Sequence, residues 1–162
     1  MIVADTSALI SIASITLLNT VLTEFNAHTT ETVVEELEET SEYNDRHGEA
    51  ANHVLDHIDQ ITIHHLEDES FQSSRVDKGE GSCVLLTKKI DAKFLITDDL
   101  RALPELQTIA DAKVAISPIV LKALVQKDAL EKEDALEKLD ELAEQRDWLG
   151  APIYRRAHAL FE

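Results

Sequence analysis

Met1-Ile2-Val3-Ala4-Asp5-Thr6-Ser7-Ala8-Leu9-Ile10 opens the chain, and Phe94-Leu95-Ile96-Thr97-Asp98-Asp99 is a second stretch of the same kind past its midpoint. Each is a short apolar run that stops at an acid. A run of that length, bounded by a turn, reads as a buried strand. Val114-Ala115-Ile116 reads as a third core strand, Ala27 to Thr29 as a short one, and the alternating Ile61-Thr62-Ile63-His64-His65-Leu66 as another. Helical spacing fills the gaps between them. Strands alternating with helices predict an α/β domain, a three-layer α/β/α sandwich with a mainly parallel central sheet.

The helices carry their own signals. Leu9, Ile10, Ile12 and Ala13, then Leu17, Leu18, Val21, Leu22 and Phe25, recur at helical spacing. Thr30 is placed to cap a helix from Glu31, with Val33, Val34 and Leu37 inward and Glu31, Glu35, Glu38 and Glu39 outward. Ser41 to Arg46 is polar and reads as a loop before a helix over 49–58. Residues 67–76 read as a second loop, and Asp77-Lys78-Gly79-Glu80-Gly81-Ser82 leads into a helix with Val84, Leu85, Leu86 and Ile90. A helix from about Leu100 to Ala110 is interrupted by Pro104, and Ser117-Pro118 starts another with proline at its first position. A charged amphipathic helix is expected over 128–148 and a short one over 152–161. The expected organisation is one domain over 1–162, with 128–162 a helical extension packed on it.

The composition narrows the function classes. The 162 residues hold 32 acids and 15 lysines and arginines, a formal net charge of −17. Hydrophobic residues make up 44% of the chain, enough for a core despite that charge. A lone cysteine, Cys83, excludes an internal disulfide framework. No apolar run reaches the ~18 residues a membrane span needs, and Met1 to Asp5 does not open like a signal peptide. A cytoplasmic protein that engages no membrane is the expectation. A broad nucleic-acid footprint is ordinarily basic, so any nucleic acid must meet a local site. So acidic a surface also suits a high-salt cytoplasm, where net charge maintains solubility, and a halophilic source is expected.

In open parallel sheets, ligands bind outside the carboxyl ends of the strands. Asp5 and the Asp98-Asp99 pair stand there. Unpaired carboxylates packed together raise one another's pKa, and a cation relieves that cost. Mg²⁺ and Mn²⁺ prefer oxygen ligands, and Mg²⁺ needs only one or two carboxylates beside waters and substrate phosphate. The physical reading is a divalent-metal site for a phosphate ester. Each acid also has a plainer reading, since Asp is a preferred helix cap and Asp5 could cap the helix that follows.

Taken in order, Ile2-Val3-Ala4-Asp5-Thr6-Ser7-Ala8-Leu9-Ile10, Val33-Val34-Glu35-Glu36-Leu37, Gly79-Glu80-Gly81-Ser82 and Leu95-Ile96-Thr97-Asp98-Asp99 resemble a PIN domain, the fold of VapC-type toxin ribonucleases. The resemblance covers about residues 1–125. It rests on the ordered set, since no single motif is specific. It implies that Asp5 is the first acid, Glu36 the second with Glu35 as competitor, Glu80 the third, and Asp99 the fourth with Asp98 as alternative. It further implies that Asp5, Asp99, Glu80 or Asp98 hold Mg²⁺ or Mn²⁺, that Glu36 and Glu80 complete the acidic pocket, and that Ser7, Thr6 and Thr97 support it. Arg101, after the last acid, is a weaker phosphate candidate. The implied activity is metal-dependent hydrolysis of RNA phosphodiester bonds by the toxin of a type II toxin–antitoxin pair, dimeric and inhibited by a small antitoxin. A non-catalytic interaction protein on the same fold and a phosphohydrolase of small substrates are the rivals, because fold does not fix function.

Other constellations carry less. His53 and His57 stand at i, i+4, but no third ligand follows at a fixed spacing, and a solvated helix face explains them. His64 and His65 alternate across a strand and cannot face one site. Gly79 and Gly81 lack the Gly-Lys-Ser/Thr ending of a phosphate loop. Cys83, beside an apolar run, reads as a buried filler, and Trp148 and Tyr154 as anchors that pack the tail.

Overall fold

The computed structural model describes residues 1–66 and 75–162. The loop expected over 67–76 therefore lies outside the described residues except for Arg75 and Val76. Five short strands form one sheet: β1 (Ile2–Ala4), β2 (Ala27–Thr30), β3 (Thr62–His64), β4 (Phe94–Ile96) and β5 (Lys113–Ala115). Their order is β3-β2-β1-β4-β5 and every pairing is parallel. The described helices are α1 (Thr6–Ser14), α2 (Leu18–Glu24), α3 (Glu31–Thr40), α4 (Arg46–Asp56), α5 (Lys78–Ile90), α6 (Leu103–Ile109), α7 (Pro118–Gln126), α8 (Lys132–Gln145) and α9 (Pro152–Ala159). They flank the sheet as the outer layers of an α/β/α sandwich.

This order decides where a site can form. From β1 the chain moves outward through β2 to β3, then returns to the other side of β1 for β4 and β5. The strand order thus reverses between β1 and β4, and an open parallel sheet leaves a crevice beyond the strand ends at such a switch point. The β1–β4 register pairs Ile2 with Phe94 and Ala4 with Ile96. Asp5 N–H then donates to the Ile96 carbonyl at 3.1 Å, which sets Asp5 level with the start of the Thr97-Asp98-Asp99 turn.

Local sequence explains most helix starts. Asp5, Thr30, Asp45 and Asp77 each sit in extended backbone and accept a backbone N–H three residues on, from Ala8, Val33, Gly48 and Glu80. Pro104 and Pro118 lie in the first turns of α6 and α7, where their missing N–H costs nothing. Several boundaries differ from expectation. The apolar spacing from Leu9 to Phe25 is split into α1 and α2, which meet at 117°. The break is Thr16, at φ 60°, an unfavourable angle for a β-branched residue. The segment 128–148 is shortened to α8 because Asp128 and Asp147 adopt the left-handed conformation at φ 59° and 58°. The helix expected from residue 49 begins at Arg46, capped by Asp45.

The core is continuous. Val3, Leu9, Leu37, Leu86, Leu95, Leu106 and Leu124 are essentially fully buried. Leu139 and Leu142 of α8, Trp148, Ala157 of α9 and Phe161 join the same cluster. Tyr154 is only partly buried, and its hydroxyl donates to Asp140 at 2.5 Å. Among the described residues no single helix is long and apolar enough to cross a membrane.

The histidines divide as the alternation required. His64 Nε2 lies 2.9 Å from His28 Nδ1 across the β2–β3 pair, whereas His65 Nδ1 meets Glu31 at 2.7 Å. Burial pushes His28 and His64 below the ordinary histidine range, and for His28 the neighbouring His64 adds to the fall. The His53 and His57 rings lie 4.7 Å apart, tilted by 55°, at the end of α4.

Gly48 has a steric reason to be glycine. A methyl group there would collide with the backbone carbonyl of Tyr43, where the 41–45 turn folds back onto α4. A carbonyl cannot swing aside as a side chain can. Gly48→Ala is expected to destabilise the protein by about 1–3 kcal/mol, the usual cost of overpacking. Thermal unfolding checks this, and a melting temperature at or above wild type would contradict the close approach.

Candidate active site

The turn after β1 builds the floor of the site. Asp5 caps α1: its Oδ1 accepts from Ala8 N–H at 3.0 Å and from the Ser7 hydroxyl at 2.7 Å. The Ser7 oxygen in turn accepts the Asp98 N–H at 2.9 Å and lies 3.3 Å from Thr97 Oγ1. One serine therefore joins the end of β1 to the end of β4. Asp5 is the helix cap of the plainer reading, and the same carboxylate lines the cavity.

α3 and α5 supply the walls. Glu36 projects from α3 and accepts the Thr6 hydroxyl at 2.5 Å. Glu35, its competitor in the sequence, is exposed. Glu80 stands in the first turn of α5, buried to 5% exposure. It forms a capping box with Asp77: Asp77 N–H donates to Glu80 Oε2 at 2.9 Å, and Glu80 N–H to Asp77 Oδ1 at 2.8 Å. Glu80 also hydrogen-bonds the Asp99 side chain. Gly79 lies directly under the Glu36 carboxylate, and a methyl group at 79 would occupy that carboxylate's place.

Asp5, Thr6, Ser7, Glu36, Glu80 and Asp99 thus line one cavity of about 400 Å³ at the switch point. Asp77, Glu39, Thr40, Ile10, His47 and Arg146 complete its lining. Thr97 supports it from behind through Ser7 and through the Asp99 N–H, which it accepts at 3.3 Å. Asp98 corrects one expectation. Its two oxygens accept the Ser117 N–H at 2.7 Å and the Ser117 hydroxyl at 2.6 Å, so it fastens β4 to the start of α7 and does not line the cavity. Asp99 Oδ1 accepts the N–H groups of Arg101 and Ala102, a turn typical of aspartate. The Arg101 side chain is not part of the lining.

The proton affinities follow from this crowding. Burial lifts Asp5 to about 6, with Asp98 adding to the rise, against the hydrogen bonds from Thr97, Ala8 and Ser7. Burial also lifts Glu36 to about 7, aided by Asp77 and Asp5 and opposed by Thr6. Glu80 rises furthest, to about 9, through burial, the hydrogen bond with Asp99, and the charges of Asp77 and Asp99. Three carboxyls in one cavity therefore hold protons that exposed acids release near pH 4. Cys83, buried beneath them, is pushed well up and stays an inert thiol.

All the acids offer hard oxygen donors, the chemistry suited to Mg²⁺ or Mn²⁺. Among the described residues, however, no three His, Cys, Asp or Glu side chains converge closely enough to ligate one ion. Three residues of the lining, Asp77, His47 and Arg146, were not singled out as site residues in the sequence. The Asp-x-x-Glu spacing of 77 and 80 is a legible capping-box signature. Nothing in the sequence around Arg146 or His47 signals a place in the site.

Among known proteins, the chain matches the model of the family described as PIN domain over residues 1–162. No curated protein matches it. PIN domains are in general nucleases, and they typically use divalent metals. A family match along the whole chain, on a parallel sheet with its acids gathered at the switch point, shows that the chain belongs to the PIN domain family.

Proposed function

We propose that this PIN domain is a metal-dependent endoribonuclease that hydrolyses RNA phosphodiester bonds. The observation that carries the reading is the gathering of Asp5, Glu36, Glu80 and Asp99 around one cavity, with three of them holding protons well above the usual range. Asp5 and Asp99 would hold Mg²⁺ or Mn²⁺, with Glu80 beside them. Since among the described residues no three side chains close on one ion, water would complete its shell, as Mg²⁺ commonly requires. The ion would neutralise charge on the phosphate oxygens and acidify a bound water. Glu36, at about 7 and oriented by Thr6, suits a group that takes a proton from the attacking water near neutral pH. Ser7 keeps Asp5 in place, and Thr97 keeps Ser7 and the Asp99 backbone in place.

The resemblance to VapC-type toxins supports a finer reading: a dimeric toxin of a type II pair, restrained by a small antitoxin and acting on cytoplasmic RNA, in a halophilic source. A small reading frame beside the gene, whose product suppresses the cleavage, is what that role requires. We also read 1–162 as one domain with 128–162 as its extension, because α8 and α9 share the core. A non-catalytic protein on the same fold would show no Mn²⁺-dependent cleavage of RNA, which separates that rival from the nuclease.

Asp5→Asn keeps a good helix cap but removes the charge. With Mn²⁺ it should lose at least about a hundredfold in cleavage rate while its melting temperature stays near wild type. Cleavage at the wild-type rate removes the assignment.

Gly79→Ala tests the seat of Glu36. Alanine favours a helix over glycine by up to about 1 kcal/mol, so stability should hold or rise. The displaced Glu36 carboxylate should lower cleavage. Full activity in this variant would show that Glu36 need not sit there.

The pH dependence of stability has a definite sign. Asp5, Glu36 and Glu80 have folded pKa values above their unfolded ones. Their contribution is therefore complete below about pH 4 and is lost as pH rises through about 6, 7 and 9 in turn. Glu80→Gln keeps the capping box, since glutamine serves there too, and removes the last of these losses. In chelator, its melting temperature should gain on wild type between pH 7 and 9. Parallel curves would mean that Glu80 is not held protonated in this cavity.

A further inference from the structure

A second cavity, about 240 Å³, adjoins the acidic one and differs from it in charge. Ile10, His47 and Arg146 line both. Beyond them the second cavity is bordered by Arg46, Gln145, Ser11, Ser14 and Asp45. Two of the chain's six arginines therefore meet there, in a molecule with a net charge of −17. Among the described residues the one carboxylate on its wall, Asp45, is occupied in capping α4, where its Oδ1 accepts the Gly48 N–H at 2.8 Å.

The two arginines come from different parts of the fold. Arg146 is delivered by the end of α8. Its Nε donates to Ser11 Oγ at 2.8 Å and a terminal nitrogen to the Ser7 carbonyl at 2.6 Å. These bonds pin the guanidinium against α1, next to the Asp5 turn, and leave other N–H groups of its five to offer. Arg46 stands exposed in the first turn of α4. A third cavity, about 250 Å³, shares Ser14 and Arg46 with the second and continues along α1 and α4 to Thr16 and His53. Glu49 also lines that third cavity, so the pairing of arginines belongs to the second cavity alone.

We propose that the second cavity docks a backbone phosphate flanking the scissile one on a single-stranded RNA, with Arg146 at the boundary between the acidic and the docking cavities and Arg46 gripping the flanking phosphate. This rests on the nuclease reading. A polyanion approaching so acidic a chain is repelled almost everywhere, and a guanidinium offers a phosphate a forked, permanently charged partner. Phosphate contacts fix position and register without reading bases. The docking cavity thus sets which bond lies over the acids, and its substrate class is a strand long enough to fill both cavities rather than a small phosphate ester.

The test is binding of a fluorescent single-stranded RNA of about ten nucleotides, followed by anisotropy over a range of salt concentrations with EDTA present. Wild type is compared with Arg46→Ala and with Arg155→Ala, which removes an exposed arginine of α9. Arg46→Ala should weaken binding about fivefold, the scale of one exposed ion pair. It should also reduce the slope of log affinity against log salt by about 0.7, the single-strand value per phosphate neutralised. Arg155→Ala should change neither. Equal effects from the two variants would overturn the proposal, because net charge alone would then explain binding. So would an acidic peptide that competes as well as RNA. Cleavage of the RNA in EDTA would instead refute the metal-dependent reading, and an Arg46-specific loss of binding would still uphold the docking site.

Discussion

A single hydroxyl, that of Ser7, spans the ends of β1 and β4. It donates to the Asp5 carboxylate and accepts the Asp98 N–H, while Thr97 approaches it from the side. Parallel strands at a switch point have no hairpin to fix how their ends lie, since their connections run through distant helices. Here the ends are secured by short side chains that lie within the turns themselves. Asp98 anchors the same turn to α7 through Ser117. With that frame set, Asp5 and Asp99 have little freedom, and the acids of α3 and α5 are brought to them by capped helices.

Placing several carboxyls in one cavity opposes folding, and the structure shows how the opposition is contained. The site acids keep protons rather than all ionising together, and each is held by hydrogen bonds from hydroxyls or backbone N–H groups. The larger share of the negative charge lies elsewhere. Glu31, Glu35 and Glu38 on α3, and Glu131, Glu133, Asp134, Glu137 and Glu144 on and around α8, are exposed and face water. The charge of −17 is therefore mainly a property of helix surfaces, and only a few acids belong to the cavity.

The fold was legible wherever a local signal coincided with a buried pattern. Ile2-Val3-Ala4 and Phe94-Leu95-Ile96 had no polar residue to make them ambiguous, and the cap at Thr30 and the first-turn proline at Pro118 lay where propensity puts them. The boundaries that slipped were set by backbone choices the pattern does not encode. Thr16 turns left-handed in an apolar run, and Gly48, with no side chain, lets the Tyr43 carbonyl close on the first turn of α4. Of the acids that line the cavity, Asp5 and Asp99 were readable because each follows a strand at the sheet's carboxyl end, whereas Glu36 and Glu80 were pointed to by the family resemblance alone. Asp98 and Asp99 could not be separated by spacing. Only the position of Ser117 shows which of the two is drawn away. Arg146 was illegible, because its approach to Ser7 depends on how a helix from the far end of the chain packs on α1.

The reciprocal bonds between Asp77 and Glu80 have a consequence for how the chain can vary over time. Each side chain satisfies the other's backbone N–H at the start of α5, and both line the cavity. A change at either position alone disturbs a helix start and a cavity wall at once. Replacements that preserve both must be drawn from the few pairs that still cap reciprocally, such as Ser or Thr at 77 with Glu or Gln at 80. Across related chains these two positions should therefore drift together or not at all, while exposed Glu35, which shares no such bond, is free to change by itself.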